Sequence, residues 1–149
     1  MIKSENLNDI LFYSLERAIK SYRQFAQRQL VKHGFNITID QWLVLKILYD
    51  NPEQTQHQVA ETIFKDYASV SRIIELLVEK QYLVRTMHAA DRRRFSLTLT
   101  ENAVKLLDNM QPVIDQNRSL ALKDINEIQT GQLQQLLNQI IKNTQSDSI

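Results

Sequence analysis

Apolar residues recur along this chain with two different periods. From Leu7 to Leu30 they fall at Leu7, Ile10, Leu11, Leu15, Ala18, Ile19, Tyr22, Phe25, Ala26 and Leu30. Steps of three and four mark one face of a helix. Ser4 is placed to cap its start, and Gly34 suits the left-handed position that ends one. A helix of roughly 30 residues is about 45 Å long. A domain of this size cannot cover such a stripe, so part of it is expected to meet a second chain.

The next segments are shorter. Thr38-Ile39-Asp40-Gln41 has the form of a capping box, in which the hydroxyl caps the third helical amide and Gln41 reaches back. Trp42, Leu43, Leu45, Ile47 and Leu48 follow, and Pro52 closes the segment. Thr55-Gln56-His57-Gln58 is a second box and opens a short helix carrying Val59, Ala60 and Ile63. Asp66 is the cap of a third helix, Tyr67 to about Lys80. Its inward face is read as Val70, Ile73, Ile74 and Leu77, which leaves Ala68, Ser69, Ser71 and Arg72 outside.

Then the period changes to two. Phe95, Leu97 and Leu99 alternate with Ser96 and Thr98, the pattern of a half-buried strand, and residues 83–88 read as its less regular partner. Thr100 caps a further helix bearing Val104, Leu106, Leu107, Met110 and Val113, with Pro112 as a possible kink. A last helix is read from about Thr130 to Asn143, with Leu133, Leu136, Leu137, Ile140 and Ile141. Residues 145–149 read as a disordered tail. The order is a long helix, three short helices, a two-stranded hairpin and two more helices.

Composition agrees with a mostly α chain. Among 149 residues there are only two glycines and two prolines, so tight turns and glycine-rich phosphate loops are scarce. Cysteine is absent, which excludes disulfides, thiolate metal sites and cysteine-based redox sensing and fits a reducing cytoplasm. No apolar run reaches the length of a membrane span, and the first residues are no secretion signal.

The formal net charge of +1 hides a division. Residues 65–105 carry eight basic and five acidic side chains, and residues 37–64 one basic and four acidic. Positive charge therefore collects on the third short helix and the hairpin. Local sign governs binding to a polyanion more than the total does. Asp91-Arg92-Arg93-Arg94 falls at the hairpin tip. Three adjacent guanidinium groups repel one another and add nothing to folding. An isolated run of this kind is as readily a solvated turn held by an Asp91–arginine pair. Beside a helix that exposes Ser69, Ser71 and Arg72, it suits double-stranded DNA: the helix for the major groove, the arginines for the negative potential of the adjacent minor groove.

The segments TxxQWLVLKIL, QVAE, SVSRIIELLVEKQYLVR and DRRRFSLTLTENA together resemble the MarR family of winged-helix regulators over about residues 38–107. The resemblance implies a winged helix-turn-helix with a two-stranded β-wing, flanked by N- and C-terminal dimerisation helices. The regions are then 1–36, 37–100 and 101–144, within one intertwined domain. It further implies a cytoplasmic homodimer on a pseudo-palindromic operator, a repressor released by a small-molecule effector of the aromatic kind the family often binds. On the matching positions Asp91 braces the wing turn and Arg93 enters the minor groove. Arg92 and Arg94 contact phosphates or support the hairpin, and Ser69, Ser71 and Arg72 contact DNA from the recognition helix. Two positions depart from the pattern, Gln81 and Ala103, where the family commonly has glycine. Either Gln81 takes a positive φ at about 1–2 kcal/mol, or the turn differs.

Other chemistry has little support. His33, His57 and His88 have no metal-binding spacing, and Glu75 with Glu79 reads as solvated charge. Tyr13, Tyr22, Phe25, Phe35 and Trp42 lie where the family often takes aromatic effectors, although packing explains each one. No nucleophile elbow, P-loop, HExxH or dinucleotide fingerprint is present, so neither an enzyme nor a cofactor is expected. The competing function is a winged-helix module that turns the same arginines toward an acidic protein.

Overall fold

The structure is a computed structural model that describes residues 4–87, 90 and 95–145. Among them are six α-helices, one 3-10 turn and one antiparallel hairpin. Two compact units are present, Met1–Asn117 and Arg118–Ile149.

The first helix is shorter than its apolar spacing suggests. Ser4 caps nothing. Asn6 instead accepts from the Asn8 amide and opens the 3-10 turn Leu7–Asp9. Ile10 is extended, with φ −80° and ψ 117°, and α1 runs from Leu11 to Lys32. Its 22 residues span about 33 Å. Leu7, Leu11, Phe12 and Ile19 on this stretch are all more than half exposed, and only Ala26 and Leu30 of α1 are buried. Gly34 has φ 83°, as a helix-ending glycine should.

Both expected capping boxes form. Thr38 and Gln41 exchange bonds of 3.1 Å at the start of α2 (Ile39–Asp50), and Thr55 and Gln58 do the same for α3 (Gln56–Thr62). Asp66 caps α4 (Tyr67–Glu79). The core gathers under this triangle: Val44, Leu45 and Leu48 of α2, Val59 of α3, and Val70, Ile74 and Leu77 of α4. Ile73 is only partly buried and packs on the edge of that cluster.

Strand β1 (Leu83–Met87) pairs with β2 (Phe95–Leu99), with Leu83 opposite Leu99 and Arg85 opposite Leu97. Leu83 and Leu97 point to the core; Val84, on the other face, is exposed. Gln81 adopts φ 64° and so takes the left-handed turn that a glycine would otherwise fill. Ala103 is fully buried in the first turn of α5 (Glu101–Ala121). The α5 helix continues through Pro112.

In the second unit, α6 spans Glu127–Thr144 and starts three residues before the expected point. Asn126 and Gln129 form an unforeseen capping box there. Ile128, Leu133, Leu136 and Ile141 on α6 are 73%, 47%, 63% and 48% exposed. No helix among the described residues is long and apolar enough to cross a membrane. Most of the tail, residues 146–149, lies outside the described residues.

Candidate nucleic-acid interface

Helix α4 is fixed at its N-terminus by Asp66. One carboxylate oxygen accepts from the Ser69 amide and the other from the Ser69 hydroxyl, both at 2.8 Å. These bonds hold the Asp66 carboxyl below its ordinary range, the Ser69 amide first. Ser69 is exposed as expected, but its only hydroxyl proton is already directed at Asp66, so toward a ligand it offers lone pairs. Arg72 is exposed and lies only loosely against Glu75, at 3.9 Å. Ser71 is a correction: it is half-buried on the flank of α4 instead of standing on the open face. The turn that carries a serine outward at 69 carries the next but one toward Val70 and Ile74.

Asp91, Arg92, Arg93 and Arg94 lie outside the described residues, as does His88. The strands that flank this run in sequence, β1 and β2, are described. There the Arg85 guanidinium donates to Gln56 Oε1 at 3.2 Å and sits 5.0 Å from the centre of the Phe95 ring. A weakly hydrated guanidinium against an aromatic face is favourable. This joins β1 to the first residue of α3, so the hairpin rises from the helix-turn-helix at a fixed place.

Several residues on this face carried no sequence signal as contacts. Tyr67 opens α4 and is 46% exposed; its ring lies 4.8 Å from that of His57 on α3. Phe64, between the two helices, has φ 57° and is 93% exposed. A cap motif does announce this turn: Asp66 marks the start of α4, and Tyr67 is its first residue. Lys65 was counted with the free positive charge of the helix and hairpin. Its ammonium pairs instead with Asp40 at 3.3 Å, which itself contacts Arg23 of α1. Part of the segmental charge division is thus cancelled across the fold.

Where α1 meets α2, an open cavity of about 400 Å³ is lined by Arg23, Gln24, Gln27, Arg28, Thr38, Ile39 and Asp40. The aromatics expected around an effector do not line it; Phe35 and Trp42 pack against the core. Among the described residues no three His, Asp or Glu converge as metal ligands.

A half-exposed helix beside a hairpin, standing on a capped helix-turn-helix, is a shape shared with known proteins. Residues 33–94 match a model described as MarR family. The HTH-type transcriptional regulator MhqR of Bacillus subtilis is 30% identical over 102 residues, 68% of this chain and 69% of that protein. BpsR of Bordetella bronchiseptica, whose DNA binding is regulated by 6-hydroxynicotinic acid, superposes with a TM-score of 0.82 at 24% identity, covering 97% of this chain and 99% of its own. MepR of S. aureus, solved as a DNA complex, gives 0.80 at 24% identity, covering 92% and 100%. The two structures establish the fold; the regulator from B. subtilis establishes kinship and, with it, a regulator in place of an enzyme. The chain belongs to the MarR family of winged-helix, DNA-binding transcriptional regulators.

Proposed function

We propose that the protein works as a homodimer on a two-fold DNA site and represses transcription until a small molecule loosens its grip. Each subunit lays α4 in a major groove, with Tyr67, Ser69 and Arg72 toward the base edges and Ser71 at the margin. Each wing brings Arg93 to the neighbouring minor groove, braced by Asp91, with Arg92 and Arg94 on phosphates. The observation that carries this reading is the open face of α4. Its apolar residues Val70, Ile74 and Leu77 are consumed by the core; in its N-terminal half Ala68, Ser69 and Arg72 stand outward beside Tyr67, with Glu75 and Glu79 exposed further along. That N-terminal half fits a groove lined with hydrogen-bonding edges and flanked by phosphates.

Dimerisation is supported by the apolar side chains left in solvent on α1 and on α6. A folded chain gains by covering them, and a pair of subunits would set two recognition helices one DNA turn apart. An effector is supported by the open cavity between α1 and α2, lined by Gln24, Gln27 and Arg28 beside the Arg23–Asp40 pair. The test is selection from random-sequence duplex by the purified protein. An inverted repeat with half-sites centred about 10 bp apart is expected. Recovery of no preferred sequence at moderate salt would remove the proposal.

A further inference from the structure

The recognition helix is held at both ends by lysines, and both reach the same short segment. At the N-terminal end Lys65, the residue before the cap, pairs with Asp40 at 3.3 Å. At the C-terminal end Lys80 donates to the Asn36 carbonyl at 2.8 Å and to Gln41 Oε1 at 3.3 Å. The segment they share, Asn36 to Gln41, is in turn fastened to α1. Gln27 donates to the Ile37 carbonyl and accepts from the Ile39 amide, at 3.3 and 3.1 Å, and Arg23 contacts Asp40. α3 meets α4 through buried apolar groups, the His57–Tyr67 ring contact and the short turn between them.

We propose that Lys65 and Lys80 are positioning residues for DNA recognition: they tie the two ends of α4 to residues 36–41 and, through Arg23 and Gln27, to α1. Close packing of the buried apolar face sets the depth of α4 but supplies no directional bond between its ends and α1. Two charge-assisted bonds at opposite ends have direction. Together they fix the pitch of α4 relative to α1, and a change in the attitude of α1 is carried to the face that meets DNA. Both lysines belong to the most basic part of the chain, yet each ammonium is directed at an acceptor within the protein, Lys65 at the Asp40 carboxylate and Lys80 at the Asn36 carbonyl and Gln41.

This inference rests on the DNA-binding reading, and the experiment separates the two. The selected operator and a scrambled duplex of equal length are titrated at one salt concentration with the wild type and with Lys80→Met, Lys65→Met and Asp40→Asn. Methionine keeps the apolar stem, and Asp40→Asn leaves both lysine charges in place. Each variant is expected to lower the ratio of operator to scrambled affinity about threefold, in keeping with the modest strength of half-exposed ion pairs. Affinity for scrambled duplex stays within about twofold, and the preference for one half-site spacing broadens. Lys80→Arg, which keeps a cationic donor, restores most of the ratio. Thermal transitions are recorded for all variants, and Asp40→Asn serves as the reading if a lysine variant fails to fold. Equal loss on operator and scrambled duplex would reassign the lysines as phosphate contacts and overturn the inference. So would an unchanged ratio in every variant. If the wild type itself prefers no duplex, the DNA reading fails first.

Discussion

The Thr100 hydroxyl donates to the Gln81 carbonyl at 2.7 Å while accepting from the Ala103 amide at 3.2 Å. The Thr100 amide also donates to the Tyr82 carbonyl at 3.1 Å. One side chain therefore caps α5 and clasps the turn between α4 and β1, the two elements that would face DNA. Gln81 sits in that clasp with φ 64°, a conformation costing an L-residue about 1–2 kcal/mol.

Gln81→Gly should relieve that strain. Glycine also loses more freedom on folding, so the net gain is expected to be at most about 1 kcal/mol. Thr100→Val removes the cap and the clasp at once and is expected to destabilise by about 1–2 kcal/mol. Urea unfolding of the two variants measures both.

Asp66 gives a prediction with a sign. Its folded carboxyl titrates below the ordinary value of 3.8 because the ionised form accepts the Ser69 bonds. A depressed folded pKa contributes stability that is fully present above 3.8 and lost as pH falls through the lower folded value. Asp66→Asn, which still caps but does not ionise, should therefore show a shallower loss of stability below pH 3.8 than the wild type. Chemical denaturation across acidic pH reads this, and parallel curves would remove the assignment.

How much of this was legible in the sequence depended on the range of the forces involved. Caps are local, so Thr38, Thr55, Asp66 and Thr100 announced their helices correctly. The start of α1 was not legible, because Leu7 and Ile10 keep helical spacing across a 3-10 turn and an extended residue. Asn126 was hidden by the lack of apolar residues after Ile128, which put the apparent start of α6 too late. For the interface, the position of Arg72 and the inward Val70 followed from periodicity alone. Three facts did not: the use of the Ser69 hydroxyl by Asp66, the half-burial of Ser71, and the pairing of Lys65 with Asp40. The last joins residues 25 apart in sequence across a tertiary contact, which no segmental charge count detects.

Arg72 should separate binding from folding. Its only described ion pair is long and solvated, so Arg72→Ala is expected to change stability by less than about 0.5 kcal/mol. Operator affinity should fall by about 1–3 kcal/mol if Arg72 reads a base, with a smaller loss on scrambled duplex. Fluorescence anisotropy on both duplexes checks this.

The proposed dimer should depend on α6. Leu136 is 63% exposed, so Leu136→Glu is expected to alter the stability of an isolated subunit by no more than about 0.5 kcal/mol. It should nevertheless shift the protein to monomer in sedimentation experiments and weaken operator binding in parallel. A variant that remains dimeric would move the interface elsewhere.

In the proposed complex two winged lobes meet one duplex, helix in the major groove and wing tip in the minor. Hydroxyl-radical footprinting of the selected operator, with the wild type and with Arg93→Ala, reads the minor groove directly. Two protected patches related by two-fold symmetry, both weakened in Arg93→Ala, are the predicted result. A single asymmetric patch, or protection identical in the two proteins, would contradict it.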